Sequence, residues 1–157
     1  MPYWDERFAA VGADYPELRR DQYHIDILCA HFVQHPDWFD VVVGSNLFGD
    51  ILSDLGPAVA GGIGIAPSAN LNVDKTFPSM FEPVHGSAPD IAGQGLANPI
   101  ATLWSVQMML DFLREKKAGK ALMEAVERVT EQKIFTADLG GSETTVLFTD
   151  RVLDNLG

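Results

Sequence analysis

The sequence predicts an α/β fold, and two features of its patterning carry that prediction. The β-branched run Val41–Val43 has the length and composition of a buried strand, and it leads through Gly44-Ser45-Asn46 into a helical segment. Most of the remaining chain places apolar residues at the three- and four-residue spacing of amphipathic helices. We therefore expect a chain that combines a buried strand with several amphipathic helices.

Two amphipathic helices are predicted before this strand. The first covers residues 3–14, where Trp4, Phe8 and Val11 lie at helical spacing. The second covers residues 25–35 and carries a wide apolar stripe that ends at His35-Pro36. An apolar stripe of that width needs a partner surface, so this helix is a candidate for pairing with another element.

A third helix is predicted over residues 47–60, with Ser45 or Asn46 as its N-cap. It meets Gly56-Pro57 and gives way to a segment rich in glycine. This change in composition predicts a domain boundary near residue 62, so that residues 1–62 and 63–157 belong to different domains.

Beyond residue 98 the sequence is predicted to be mainly helical. A long apolar helix is predicted from Ile100 to Lys117, with Asn98 as its cap and Pro99 at its start, and Gly119 is predicted to end it. A second helix follows over residues 121–133. A glycine turn then leads into a last helix over about residues 143–156.

Composition narrows the class of protein. The chain has 157 residues, 22 acidic against 11 basic, and a net charge of −11, which argues against nucleic acid or an anionic membrane as a partner. A single cysteine, Cys29, excludes an internal disulfide framework and fits a reducing compartment. No apolar run is long enough to cross a membrane, and no signal sequence follows Met1. We expect a cytoplasmic protein.

The third helix carries the sequence's most specific chemical signal. Asp50 and Asp54 lie four residues apart, so their carboxylates project from the same helix face. Two adjacent carboxylates repel each other unless a positive charge lies between them, and a hard divalent cation with oxygen ligands supplies one. The same spacing also occurs on ordinary solvated helix faces, so both interpretations stay open. Asp26 likewise fits a first-turn residue favoured by the helix dipole.

A second candidate site lies in the loop FEPVHGSAPDIAGQGLANP, residues 81–99. Its glycines permit close approach to the backbone, and it ends at a helix start. Its single central carboxylate, Asp90, can accept bonds from both hydroxyls of an adenosine ribose and would repel a 2′-phosphate, which favours NAD over NADP. The spacing matches neither G-x-G-x-x-G nor a phosphate-binding loop, so a plain structural turn is the alternative.

Taken together, the two stretches resemble the signature segments of the β-decarboxylating dehydrogenases. These are NLFGDILSD at residues 46–54, preceded by YHIDILCAHFVQHPDWFDVVVGS, and HGSAPDIAGQGLANP at residues 85–99. The family includes isopropylmalate, isocitrate and tartrate/D-malate dehydrogenases. The segments MPYWDE and HPDWFDVVV look most like the tartrate/D-malate branch. The resemblance implies an isopropylmalate dehydrogenase-like α/β fold, of which this chain matches the C-terminal half. That half is expected to contain a partial sheet with flanking helices, plus the dimerisation helices.

The resemblance also implies roles for particular residues. In the family, the aspartates matching Asp50 and Asp54 bind Mg²⁺ or Mn²⁺ with the substrate, and the one matching Asp26 completes the site from the other subunit of a dimer. These three residues are thus the expected catalytic metal ligands. The family's adenosine site matches His85, Gly86, Ser87, Ala88, Asp90, Ile91 and Asn98, and Asp90-Ile91 is of the NAD type.

Further expectations concern partners and activity. By resemblance the substrate is a small 2-hydroxy acid, tartrate or D-malate, and helices 25–35 and 47–60 pair with those of a second chain in a homodimer. The family's substrate-clamping arginines, its proton-donating tyrosine and its lysine have no counterpart here, so we expect a truncated, inactive fragment. The alternatives are a 3-isopropylmalate dehydrogenase and a non-catalytic dimerisation module.

Overall fold

The computed structural model describes residues 2–156 and is rich in helix, with one small sheet. The six helices are α1 (Pro2–Gly12), α2 (Ile25–Gln34), α3 (Asn46–Ala60), α4 (Ile100–Phe112), α5 (Lys116–Glu131) and α6 (Thr145–Asp154). Two strands, β1 (Pro67–Asn70) and β2 (Met80–Pro83), pair antiparallel with Pro67 opposite Pro83. Short 3₁₀ turns lie at Pro36–Trp38, Ile63–Ile65 and Ala137–Leu139.

The chain divides into two compact units, one ending at Asp40 and the other beginning at Val41. This division by internal contacts differs from the predicted boundary near residue 62. That boundary refers to the domains of the whole family fold, and it stays a prediction.

The first unit contains α1, α2 and the 3₁₀ turn at Pro36–Trp38. It is held together chiefly by aromatic rings: His35 stacks on Trp38 with ring centroids 4.0 Å apart and planes 4° apart, and Phe32 contacts Phe39 at 5.1 Å. Leu28 of α2 is buried. By contrast, the predicted apolar stripe of α1 is present but exposed to solvent within this chain.

The core of the second unit lies among its last three helices. Its buried members belong to α4, α5 and α6: Ile100, Leu122, Ala125, Val126, Val129, Phe148 and Val152. Helix α4 packs on α5 and also contacts both strands, so it lies at the centre of this unit. Helix α5 has apolar residues on one face only, as its periodicity predicts, and that face is buried.

The predicted strand at Val41–Val43 does not form. These residues have no strand partner among the described residues, and Val41 and Val43 are 84% and 60% exposed. A β-branched run favours extended backbone, but a strand exists only when a neighbour accepts and donates its ladder hydrogen bonds.

The predicted end of the long apolar helix that starts at Ile100 was also wrong. Helix α4 ends before Arg114, which adopts a left-handed conformation with φ 68°, and Glu115 N–H then donates to the Leu110 carbonyl at 2.8 Å. This is the Schellman arrangement, formed here without glycine. Gly119 lies instead inside α5, where an added Cβ would come within 3.0 Å of Asp111 Oδ1. It is therefore a close-packing residue.

Helix α3 ends at Ala60, as predicted, and it runs through Gly56-Pro57 without a break. Pro57 has no N–H to donate one turn back, and its ring crowds the carbonyl there, but α3 continues for three more residues. The chain leaves the helix through Gly61 and Gly62, with φ of 147° and 134°. These positive values are accessible to glycine and strained for other residues.

Candidate metal and nucleotide site

Asp50 and Asp54 lie on consecutive turns of α3, as their spacing predicts. Both are exposed, while Leu52 between them is buried, so the acidic face of the helix is turned to solvent. The Asn46 amide donates a hydrogen bond to Asp50 Oδ2 at 3.1 Å. Within the described part of the chain neither carboxylate takes part in a salt bridge, and α3 contains no basic residue. The two negative charges are therefore not compensated by a cationic side chain.

This donor set fits a hard divalent cation. Carboxylate oxygens are the ligands preferred by Mg²⁺ and related ions, and Mg²⁺ usually keeps several waters while binding to one or two carboxylates. No cluster of three or more metal-ligating side chains occurs over residues 2–156. The pair on α3 thus supplies part of a coordination shell, and further ligands have to come from water, substrate or another chain.

Asp26 lies in the first turn of α2 and belongs to the other compact unit. Its carboxylate is exposed, and Oδ1 accepts a hydrogen bond from the backbone N–H of Ile27 at 2.8 Å. This contact is compatible with the simple helix-start role as well as with metal binding. Its assignment as a ligand contributed to a second subunit stays a prediction.

The loop that follows β2 is shaped by successive turns. Ile91 N–H donates to the Ala88 carbonyl and Gln94 N–H to the Ile91 carbonyl, both at 3.1 Å. Ala88 has a positive φ of 40°, and Gly93 and Gly95 have φ of 76° and 69°. The backbone is therefore held in a defined course although it contains no helix or strand.

The first half of this loop is open to solvent. Gly86, Ser87, Ala88 and Asp90 are exposed, and no atom lies within 4 Å of the Cβ position of Gly86. The ring Nδ1 of His85 donates to the Gly86 carbonyl at 2.9 Å, since a carbonyl can only accept, and this leaves Nε2 available. His85 and Ile91 are half-buried. Hydroxyl, carboxylate and imidazole groups beside an accessible backbone suit the ribose and base of a nucleotide.

Asn98 is placed differently from the other predicted nucleotide residues. It is 7% exposed, and its amide is already engaged: Nδ2 donates to Asp138 Oδ2 and Oδ1 accepts from Ile100 N–H, each at 2.9 Å. The second bond caps α4, as the sequence predicts for this residue. The bond to Asp138 crosses 40 residues of sequence, and no sequence pattern signals it.

The end of the same loop is tied to the start of α6. Thr145 N–H donates to the Gly95 carbonyl at 2.8 Å, and Thr145 Oγ1 donates to the Ala97 carbonyl at 2.5 Å. Sequence reasoning did not single out Thr145. The loop thus has an exposed first half and a firmly anchored second half.

These features agree with the family profile that matches the sequence. The chain belongs to the isocitrate/isopropylmalate dehydrogenase family, whose profile matches residues 1–156. The resemblance inferred from the two motifs is thereby confirmed, and so is the fold class.

Two curated relatives have names more specific than that of the family. The chain is 59% identical over 157 residues to D-malate dehydrogenase [decarboxylating] of Escherichia coli (strain K12), covering 97% of this chain and 44% of that protein. It is 59% identical over 151 residues to the tartrate dehydrogenase/decarboxylase of Pseudomonas putida, covering 92% and 41%. The chain therefore spans less than half the length of these curated relatives.

Solved structures superpose closely on this chain. The isocitrate dehydrogenase of Methylococcus capsulatus superposes with a TM-score of 0.90 at 36% identity, covering 96% of this chain and 44% of that one.

In the described residues, no helix combines the length and apolar character that crossing a membrane requires.

Proposed function

We propose that this chain forms the metal-binding and nucleotide-binding part of an NAD-dependent oxidative decarboxylase acting on tartrate or D-malate. The observation that carries the proposal is the uncompensated carboxylate pair of Asp50 and Asp54 on α3, in a chain 59% identical to a D-malate dehydrogenase. Residues 1–62 are assigned to the dimer-forming and substrate domain, and residues 63–157 to the nucleotide domain.

In the metal half of the proposal, Asp50 and Asp54 hold Mg²⁺ or Mn²⁺, with Asp26 contributed by a second chain. The exposure of the α3 pair supports this, because a substrate has to reach the same face of the helix. A divalent cation bound there supplies Lewis-acid polarisation of hydroxyl and carboxylate oxygens of a 2-hydroxy acid. The aspartates themselves hold the cation and thereby orient that substrate.

In the nucleotide half, the loop His85–Ile91 binds the adenosine of NAD. The cofactor supplies the hydride acceptor for oxidation of the hydroxyl carbon. Asp90 receives the ribose hydroxyls, and the open backbone at Gly86 allows the cofactor to approach. The unpaired Cys29 agrees with a reducing, cytoplasmic setting for such an enzyme.

Calorimetry on the full 157-residue chain tests the proposal. We expect saturable binding of Mn²⁺ and, in a separate titration, of NAD⁺. Absence of both would overturn it and would favour a non-catalytic dimerisation module whose family motifs are relics. We further expect that the 157-residue chain alone forms no NADH from D-malate, NAD⁺ and Mn²⁺. The absorbance of NADH measures this directly.

A further inference from the structure

A chain of hydrogen bonds links the end of the nucleotide loop to the turn before α6. Thr136 Oγ1 donates to Asp138 Oδ1 at 2.5 Å, and Asn98 Nδ2 donates to Asp138 Oδ2 at 2.9 Å. Thr136 is fully buried and Asn98 nearly so. Asp138 is the shared acceptor, and both of its oxygens are used.

The orientation of the Asn98 amide follows from this arrangement. A carboxylate only accepts hydrogen bonds, so Asp138 requires the nitrogen of the amide to face it. The Ile100 N–H only donates, so it requires the amide oxygen. The two partners therefore fix which way the amide points, and one Nδ2 hydrogen remains without a partner in the described structure.

The surrounding backbone is built closely around this contact. A Cβ on Gly64 would lie 2.7 Å from Asp138 Oδ2 and 3.2 Å from Asn98 Cβ. The 3₁₀ turn at Ile63–Ile65 thus passes against both side chains only because it has glycine at that point. Three separate segments of the second unit converge on the bond between Asn98 and Asp138.

We propose, building on the nucleotide-binding function proposed above, that Asp138 is a positioning residue for Asn98. It turns the Asn98 carboxamide so that the second Nδ2 hydrogen is held ready to donate to an acceptor atom on the base or ribose of the dinucleotide. A donor fixed before binding loses no rotational freedom when the ligand arrives, which favours affinity. Asp138 itself touches no ligand in this arrangement.

The first test compares Asp138→Ala with Asp150→Ala in the full chain. Asp150 is an exposed residue of α6, so the control removes the same charge without touching the network. We expect Asp138→Ala to weaken NAD⁺ binding about tenfold, the effect of one good hydrogen bond, and Asp150→Ala to leave it unchanged. Calorimetry measures both dissociation constants.

The exchange Asn98→Asp with Asp138→Asn separates positioning from mere anchoring. In the double variant the amide at position 138 can donate to the carboxylate at position 98, which still accepts from Ile100 N–H. All three hydrogen bonds and the net charge are retained, but position 98 no longer offers a donor to the ligand. The carboxylate now lies at the buried position 98, which carries a cost of its own. We therefore expect a melting temperature above that of Asp138→Ala, together with NAD⁺ binding that is still about tenfold weaker.

The outcomes are distinct. Recovery of both melting temperature and affinity by the exchange would overturn the inference, because the network would then be structural only. An exchange variant with a melting temperature no higher than that of Asp138→Ala would overturn it as well, and so would equal affinities of Asp138→Ala and Asp150→Ala. If Asp138→Ala does not fold, the exchange decides alone. Wild-type chain that does not bind NAD⁺ would overturn the nucleotide half of the proposed function and this inference with it.

Discussion

Gly141 lies directly against the backbone of Phe135. A Cβ added to Gly141 would overlap the Phe135 carbonyl oxygen and come within 2.7 Å of Phe135 Cβ. The same carbonyl accepts a hydrogen bond from Glu143 N–H at 3.0 Å, so it is fixed in place. The turn between α5 and α6 therefore has room for glycine only.

Replacing Gly141 with alanine should lower the free energy of unfolding by about 1–3 kcal/mol, because the obstructing atoms belong to backbone and cannot move aside cheaply. Chemical denaturation measures the change. Gly49→Ala is the control: Gly49 lies inside α3 with no atom within 4 Å of its Cβ position, so alanine there should add about 0.5–1 kcal/mol. Equal effects at the two sites would contradict the close packing described.

A second matched pair concerns helix caps. Thr144 Oγ1 accepts a hydrogen bond from Leu147 N–H at the start of α6, whereas Ser45 occupies the N-cap position of α3 without such a bond. Thr144→Ala should therefore cost about 1 kcal/mol. Ser45→Ala should cost nothing or stabilise, since Ser45 Oγ is buried without a hydrogen-bond partner in the described structure. Thermal unfolding of both variants checks the contrast, which a larger loss at Ser45 would refute.

Metal binding should depend on both carboxylates of α3. A ligand that binds only the folded state at about 100 times its dissociation constant stabilises that state by about 2.7 kcal/mol. Mn²⁺ should therefore raise the melting temperature of the wild-type chain, and Asp50→Asn or Asp54→Asn should abolish most of this rise. Asp74 is an exposed loop residue, so Asp74→Asn is the charge-matched control and should retain the rise in melting temperature. A full Mn²⁺ effect in either α3 variant would remove that residue from the site.

Nucleotide selectivity should depend on Asp90. The wild-type chain should bind NAD⁺ more tightly than NADP⁺, because a carboxylate accepts ribose hydroxyls and repels a 2′-phosphate. Asp90→Asn removes the repulsion and weakens the acceptor, so the ratio of the two affinities should fall about tenfold or more. Competition between the two cofactors in calorimetry gives this ratio. An unchanged ratio would place the ribose elsewhere.

Self-association should use the exposed apolar faces of α2 and α3. Val33 and Val59 are 52% and 45% exposed within the chain, and burial of such side chains against a second copy would be favourable. The wild-type chain should be dimeric by light scattering at micromolar concentration. The double variant with Val33→Glu and Val59→Glu should be monomeric, because a carboxylate buried in the dimer interface is costly. Leu153→Glu on α6 is the control and should stay dimeric. A monomeric wild-type chain would end the dimer proposal.

Local patterning predicted most of the helices and the acidic face of α3. The spacing of Asp50 and Asp54 is a property of helix geometry alone, so it follows once α3 forms. The end of α4 could not be predicted in the same way. Arg114 adopts a left-handed conformation that its residue type does not predict. Gly119 does suggest a helix end, but it is required for close contact with α4.

Contacts between distant segments lay beyond sequence reasoning. The bond between Asn98 and Asp138 joins residues 40 positions apart, and each residue has a sufficient local explanation of its own as a helix cap or a turn former. The predicted strand at Val41–Val43 failed for a related reason. Composition gives a propensity for extended backbone, whereas the strand itself depends on a neighbour.

The exposed Val41–Val43 run also bears on how the chain behaves at high concentration. Three consecutive β-branched residues whose backbone groups have no strand partner within residues 2–156 form a template on which other chains can add as strands, a route to aggregation. The net charge of −11 opposes such contacts through mutual repulsion between chains. That repulsion is screened within about 8 Å at physiological ionic strength. The resistance of the chain to aggregation is therefore greatest at low ionic strength and decreases as salt is added.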